Sequence, residues 1–215
     1  MPAAKPRLLQ FPASAPPARQ FIVPREHGAW ALWLFPLISG GIVGYAAAPR
    51  TIAPALWFSL LALTAFLIRQ PLDSLLGSSV LKIRSPQEYR IALFWVMGLT
   101  AIAAFCAFEL VGLKRALVLG FGLAALACFA LSAAFSKSRR LRIARQLVGA
   151  LGLSSTSAGA YYVVTGQITR TALLLWLLNW LFAIGQIEYV QLRLHTARVA
   201  STRAKAEAGW KIALF

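Results

Sequence analysis

Pro24-Arg25-Glu26-His27-Gly28-Ala29-Trp30 opens straight into Ala31-Leu32-Trp33-Leu34-Phe35-Pro36-Leu37-Ile38-Ser39-Gly40-Gly41 and an apolar run that lasts to Ala48. Three ionisable side chains in a row stand at the threshold of a segment with no charge at all. The run is long enough to cross the ~30 Å hydrocarbon layer of a bilayer as an α-helix. Charge at such a threshold either anchors the helix among lipid headgroups or forms one wall of a site, because ionisable groups are costly at membrane depth.

The rest of the chain repeats the pattern. Of its 215 residues, 59% are hydrophobic and only 13% charged, about half the charged share of an ordinary soluble domain. Apolar stretches at about 28–48, 53–69, 91–111, 115–135, 147–165 and 171–192 predict six membrane-spanning helices. Pro36 marks a kink point in the first. A re-entrant extension through Leu76 is an option for the second. None of the runs alternates as a membrane β-strand must. The expected fold is all-α, a polytopic helical bundle over residues 24–194. It is flanked by a flexible, basic, Pro/Ala-rich tail (1–23) and a basic C-terminal segment (195–215).

The formal net charge of +16 would suggest nucleic acid in a soluble protein. Here the 22 Lys and Arg residues lie at the ends of, between or beyond the apolar runs, and all but Arg50, Lys114, Arg115 and Arg170 fall on one side. This is the positive-inside distribution, so both termini are expected in the cytoplasm and nucleic-acid binding is excluded. The expected location is a bacterial cytoplasmic (inner) membrane. Tyr45, Trp57, Tyr161 and Tyr162 are expected in an outer aromatic belt, and Trp30, Trp33 and Trp95 in an inner one.

The few acids fall in informative places. Glu26 precedes the first span, Asp73 follows the second, Glu88 lies in the 2–3 loop and Glu188 in the last turns of the sixth. Arg25, Arg69, Arg193 and the basic 139–145 stretch lie at the same level. One reading has these groups pairing to pin helix ends near headgroups. The other has them lining a cytoplasm-facing cavity. In that cavity Arg25, His27, Arg69 and Arg193 would hold an anionic substrate, since guanidinium binds phosphate as a fork. Glu26 and Asp73 would then act as catalytic acid–base groups. With His27 and His195 as the only histidines, and no carboxylate-rich motif, neither a metal site nor a cofactor is expected.

Membrane lipids are the expected partners, with an anionic lipid or an isoprenoid as ligand. Gly40 and Gly44 form a GxxxG pair for close helix approach, including approach of a second copy. The small-residue fifth span, Gly149 to Gly159, predicts a packed helix or, alternatively, the wall of a solute path. A small-solute transporter and a non-catalytic membrane subunit are therefore the alternative functions.

The run from Pro24 to Trp30, followed by Leu34, Pro36 and Gly40-Gly41, resembles the YwiC-like family of bacterial membrane proteins. Ala160-Tyr161-Tyr162 with Gly166, and Gly185-Gln186 with Tyr189, Val190 and Arg193, are similar to that family's closing segments. The resemblance implies an integral membrane protein and no particular activity.

Overall fold

The computed structural model describes residues 27–48, 52–76, 83, 85–135 and 141–198. They form six α-helices and, among the described residues, no strand: α1 (His27–Ala47), α2 (Ala53–Leu75), α3 (Pro86–Gly112), α4 (Val118–Ala134), α5 (Arg142–Thr165) and α6 (Arg170–Arg198). Five are long and apolar enough to cross a membrane; α4, with 17 residues, is the short one. The chain is a multi-pass helical membrane protein.

The fold is built around α5. Its small residues let neighbours approach the backbone, and from Ser154 to Thr165 every residue except Thr156 is buried. Lipid tails are as apolar as Leu, so burying oil does not drive helices together in a bilayer. Close packing does. A Cβ on Gly40 of α1 would overlap the Ser157 carbonyl of α5, and one on Gly44 would stand 3.2 Å from the Tyr161 Cα. The GxxxG face therefore meets α5 of the same chain. A Cβ on Gly159 would stand 2.5 Å from the Phe58 ring of α2, and one on Gly152 would stand 3.0 Å from the Cys128 Cβ of α4.

Hydroxyls within α5 are consumed within α5. Ser154 donates to the Ala150 carbonyl at 2.8 Å, Ser155 to Gly152 at 2.7 Å, Thr156 to Leu153 at 2.7 Å and Ser157 to Ser154 at 2.8 Å. This back-bonding satisfies each hydroxyl without a partner helix. Helix α6 is fastened differently. The Trp176 and Trp180 indole N–H groups donate to the Leu151 and Leu147 carbonyls at 2.9 and 3.1 Å. Asn179, buried at mid-helix, donates to Ser39 of α1 at 3.2 Å and to the Leu175 carbonyl at 2.8 Å.

These contacts fix direction. Gly40 and Gly44 meet Ser157 and Tyr161 in rising order, so α1 and α5 run parallel. Trp176 and Trp180 meet Leu151 and Leu147 in opposite order, so α6 runs against α5. By the same test α4 runs against α5, through Gly152 with Cys128 and Gly149 with Ser132. The helices alternate, and the start of α1 and the end of α6 share one end, the Lys/Arg-rich end.

At the opposite end, Phe58, Leu110, Val118, Tyr162 and Val163 make one apolar cluster from α2, α3, α4 and α5. Lys114 ends α3 in the left-handed region (φ 60°), with Arg115 N–H donating to the Leu110 carbonyl and Lys114 N–H to Val111. This is the paired-bond helix stop usually built on glycine. It swings Arg115 across to α5, where Nε donates to the Val163 carbonyl at 2.8 Å. A cation there complements the negative end of the helix dipole. Gly166 closes α5 at φ 77°, where a Cβ would run into the Arg115 guanidinium.

Several boundaries differ from those read off hydropathy. Helix α2 continues through buried Pro71 to Leu75 as one helix, with no re-entrant break. Helix α3 starts at Pro86, not near 91, because Ser85 caps it by accepting from the Glu88 N–H at 3.2 Å. Glu88 thus sits buried in the first turn of a helix, not in a loop. Tyr161 and Tyr162 are buried among helices and are not in an outer belt, and Trp33 is buried too. Hydropathy locates the hydrocarbon layer, whereas caps and snorkelling side chains decide where helices end.

Gly40→Ala is expected to destabilise the bundle by ~3 kcal/mol or more, the upper end for overpacking, because the obstacle is backbone. Gly41→Ala, with nothing within 4 Å of the new methyl, should be neutral or better. Thermal unfolding in detergent measures both, and equal behaviour would sink the packing account.

Candidate functional site

Helix α4 is bound to its neighbours unevenly. At the end away from the Lys/Arg-rich side it joins α2, α3 and α5 in the shared cluster. Towards the Lys/Arg-rich side it follows α5 alone, with Gly152 against Cys128 and the Ser132 hydroxyl donating to the Arg145 carbonyl at 3.2 Å. Among the described residues α4 makes no close backbone approach to α2, and it meets α3 only near their turn. The space between α2 and α4 is therefore left to side chains.

Arg69 occupies it. Its guanidinium lies over the Phe129 ring of α4, 5.6 Å from the centroid, a favourable cation–π arrangement. Nε stands 3.8 Å from Oδ2 of Asp73, one turn further along α2. That is an ion pair but too long for a hydrogen bond. The guanidinium donates no hydrogen bond to the described residues. Its side chain is 41% exposed and that of Asp73 26%.

This pair is poorly placed as a helix staple. The order basic-then-acidic at i,i+4 is the weaker one. Asp73 also lies in the last turn of α2, where the helix dipole disfavours a carboxylate. Helix stability alone does not account for an arginine and an aspartate here.

Next to this pair, towards the bundle interior, stands an aromatic group. Trp33 of α1 stacks on Phe66 of α2 at 5.6 Å and 21°, and Trp30 meets both rings edge-on at 6.1 and 5.1 Å. Leu153 of α5 packs against the same cluster. The candidate site thus comprises Arg69 and Asp73 of α2 with Phe129 of α4, and the Trp30–Trp33–Phe66 group packs between α1 and α2, Phe66 lying three residues before Arg69.

The structure treats the sequence-derived residues unequally. Arg69 and Asp73 come together. His27 begins α1, whose first turns reach α2 through Trp30 and Phe66, but its side chain is not described. Arg25 and Glu26 lie outside the described residues. Arg193 is exposed on α6, which makes no close approach to α2 among the described residues, so it stands apart from Arg69. Leu181, Gly185, Glu188 and Leu192 share one face of α6 by helical spacing; the first three are exposed and Leu192 is half-buried.

Phe129 was not singled out from the sequence, and Trp33 reads there only as a residue of the inner aromatic belt. Each sits in an apolar run where another Phe or Trp reads the same. Only the long gap between α2 and α4 in space identifies Phe129 as the arginine's neighbour.

An exposed i,i+4 pair and one cation–π contact together contribute about 1 kcal/mol. Arg69→Ala should therefore lower stability by about that much in detergent unfolding. A loss above ~3 kcal/mol would mean that the pair is a structural bridge.

Comparison with known proteins agrees with this architecture at the level of family. No curated protein and no solved structure matches the chain. The family model described as YwiC-like protein matches residues 23–165. The match takes in the Pro24–Trp30 run and Ala160-Tyr161-Tyr162, and it ends before the Gly185–Arg193 segment. Covering α1 to α5, and with them the Arg69–Asp73 pair and the α5 hub, it shows that this chain belongs to the YwiC-like family.

Proposed function

We propose that the space between α2 and α4 receives the head of an amphiphilic anion, a phosphate-bearing lipid or isoprenoid, at the cytoplasmic face of a bacterial inner membrane. One observation carries the reading: towards the Lys/Arg-rich end of α2 the partly exposed Arg69 stands 3.8 Å from Asp73 and donates no hydrogen bond to the described residues. Its fork is open to an incoming acceptor, and phosphate is the group that fork fits best. Phe129, half-buried beside the guanidinium, offers apolar surface to a chain on the same ligand.

Asp73 is the group able to hold or move a proton beside the bound head. Arg25, Glu26 and His27, which precede Trp30 in the sequence, are the further groups assigned to the site by this reading. Asn179 and the hydroxyls of Ser154 to Ser157, deeper in the bundle, are already engaged. Asn179 bonds Ser39 and Leu175, and the α5 hydroxyls bond their own helix. This favours a site at the rim over a solute path through the middle.

Purification in mild detergent followed by native mass spectrometry tests the reading. Wild-type protein should retain an anionic lipid or prenyl phosphate. Arg69→Ala should weaken retention by about tenfold or more, the worth of a charge-assisted hydrogen bond or two. Asp73→Asn removes a competing negative charge and should keep or raise retention. If the pair only pins the helix end, the two variants will behave alike, and the proposal fails. It fails equally if the wild type carries no such ligand.

A further inference from the structure

Trp33 is 6% exposed, and its indole Nε1–H has no acceptor. The contrast with α6 is instructive, since Trp176 and Trp180 each donate to a backbone carbonyl of α5. A buried N–H left without an acceptor is costly, more so where no water can reach. The Trp33 ring is also held firmly, stacked on Phe66 with Trp30 against its edge. A rigid, desolvated, unsatisfied donor is what a site for an acceptor oxygen requires.

Its position relative to Arg69 narrows the ligand. Trp33 lies against Phe66, and Arg69 is three residues along α2, or ~4.5 Å along the axis towards the Lys/Arg-rich end. An anion on Arg69 would thus sit about one helical turn nearer the headgroup level than an acceptor on Trp33. Acyl glycerophospholipids have that layout, with an ester carbonyl a few bonds from the phosphate on the chain side. A prenyl phosphate has no acceptor beyond its phosphate group.

We propose that the ligand is an acyl-ester phospholipid whose phosphate is held by Arg69 and whose ester carbonyl accepts from Trp33 Nε1–H. This rests on the anion site described above and chooses between its two ligand classes.

The test compares a diacyl phosphatidic acid with its dialkyl ether analogue of equal chain length, titrated onto the purified full chain in detergent. The ether lacks only the carbonyls. Wild type should prefer the diester about tenfold. Trp33→Phe should bind the two equally, at the level of the ether. Arg69→Ala should weaken both by the same factor and keep the preference. Equal binding of ester and ether by the wild type would overturn the carbonyl assignment and leave the anion site standing. Binding of neither lipid would overturn both. The wild-type comparison decides the matter even if Trp33→Phe fails to fold.

Discussion

Everything in this bundle depends on how closely other helices can approach the backbone of α5. At Gly40 the approach is so tight that a methyl group would overlap the Ser157 carbonyl. Dispersion falls off over fractions of an ångström, and in lipid no hydrophobic term compensates for a gap. A helix made of glycine, alanine and serine is therefore the one place in the chain where several neighbours can be bound at once. Its serines are compatible with that role because each hydroxyl returns to its own helix. They supply small volume and demand nothing from the partner.

A hub of this kind limits what the surrounding helices can do to one another. Helix α1 lies parallel on it, α6 is fastened by indole N–H groups, and α4 lies in register with Gly149 and Gly152. Helix α2 reaches it through Phe58 against Gly159, near the end that Arg115 caps. Because α2 and α4 are each held by α5, they need not meet each other. Towards the Lys/Arg-rich end they do not, and the gap is bridged by one guanidinium over one phenyl ring. The site is thus a consequence of the hub, since two helices bound to a common slim axis diverge unless large side chains fill between them.

The fold was largely legible because bilayer physics acts on composition. Apolar runs of the right length and one-sided Lys/Arg placement are read residue by residue, and Gly40 with Gly44 correctly announced a close contact. Its partner was not legible, since any small-residue helix could have met that face. Helix ends were misread for a local reason. Ser85-Pro86-Gln87-Glu88 is a helix-capping sequence, with Pro at the first helical position, but it lies outside the hydrophobic window. Tyr161 and Tyr162 look interfacial by type and are buried because α5 is central. The Arg69–Asp73 pair could be suspected from spacing alone. Phe129 and the unsatisfied Trp33 N–H could not, because both are properties of distance between helices that the sequence does not order.

The same reasoning bears on the polar groups that the bundle does satisfy. In a low-dielectric interior each donor left open is expensive, so the distribution of satisfied and unsatisfied donors carries information. Trp176, Trp180, Asn179 and the α5 hydroxyls all find acceptors, on α5 or within their own helices. Among the described residues the Trp33 indole is the buried side-chain donor without an acceptor, and Arg69, partly exposed, lies three residues beyond its stacking partner Phe66 on α2. Two open donors of different strength, one charged and nearer the headgroups and one neutral and deeper, match a ligand that carries its charge outermost and an uncharged acceptor below it. That ordering is the ordering of a lipid in its own leaflet, so such a ligand could enter sideways from the bilayer without inverting.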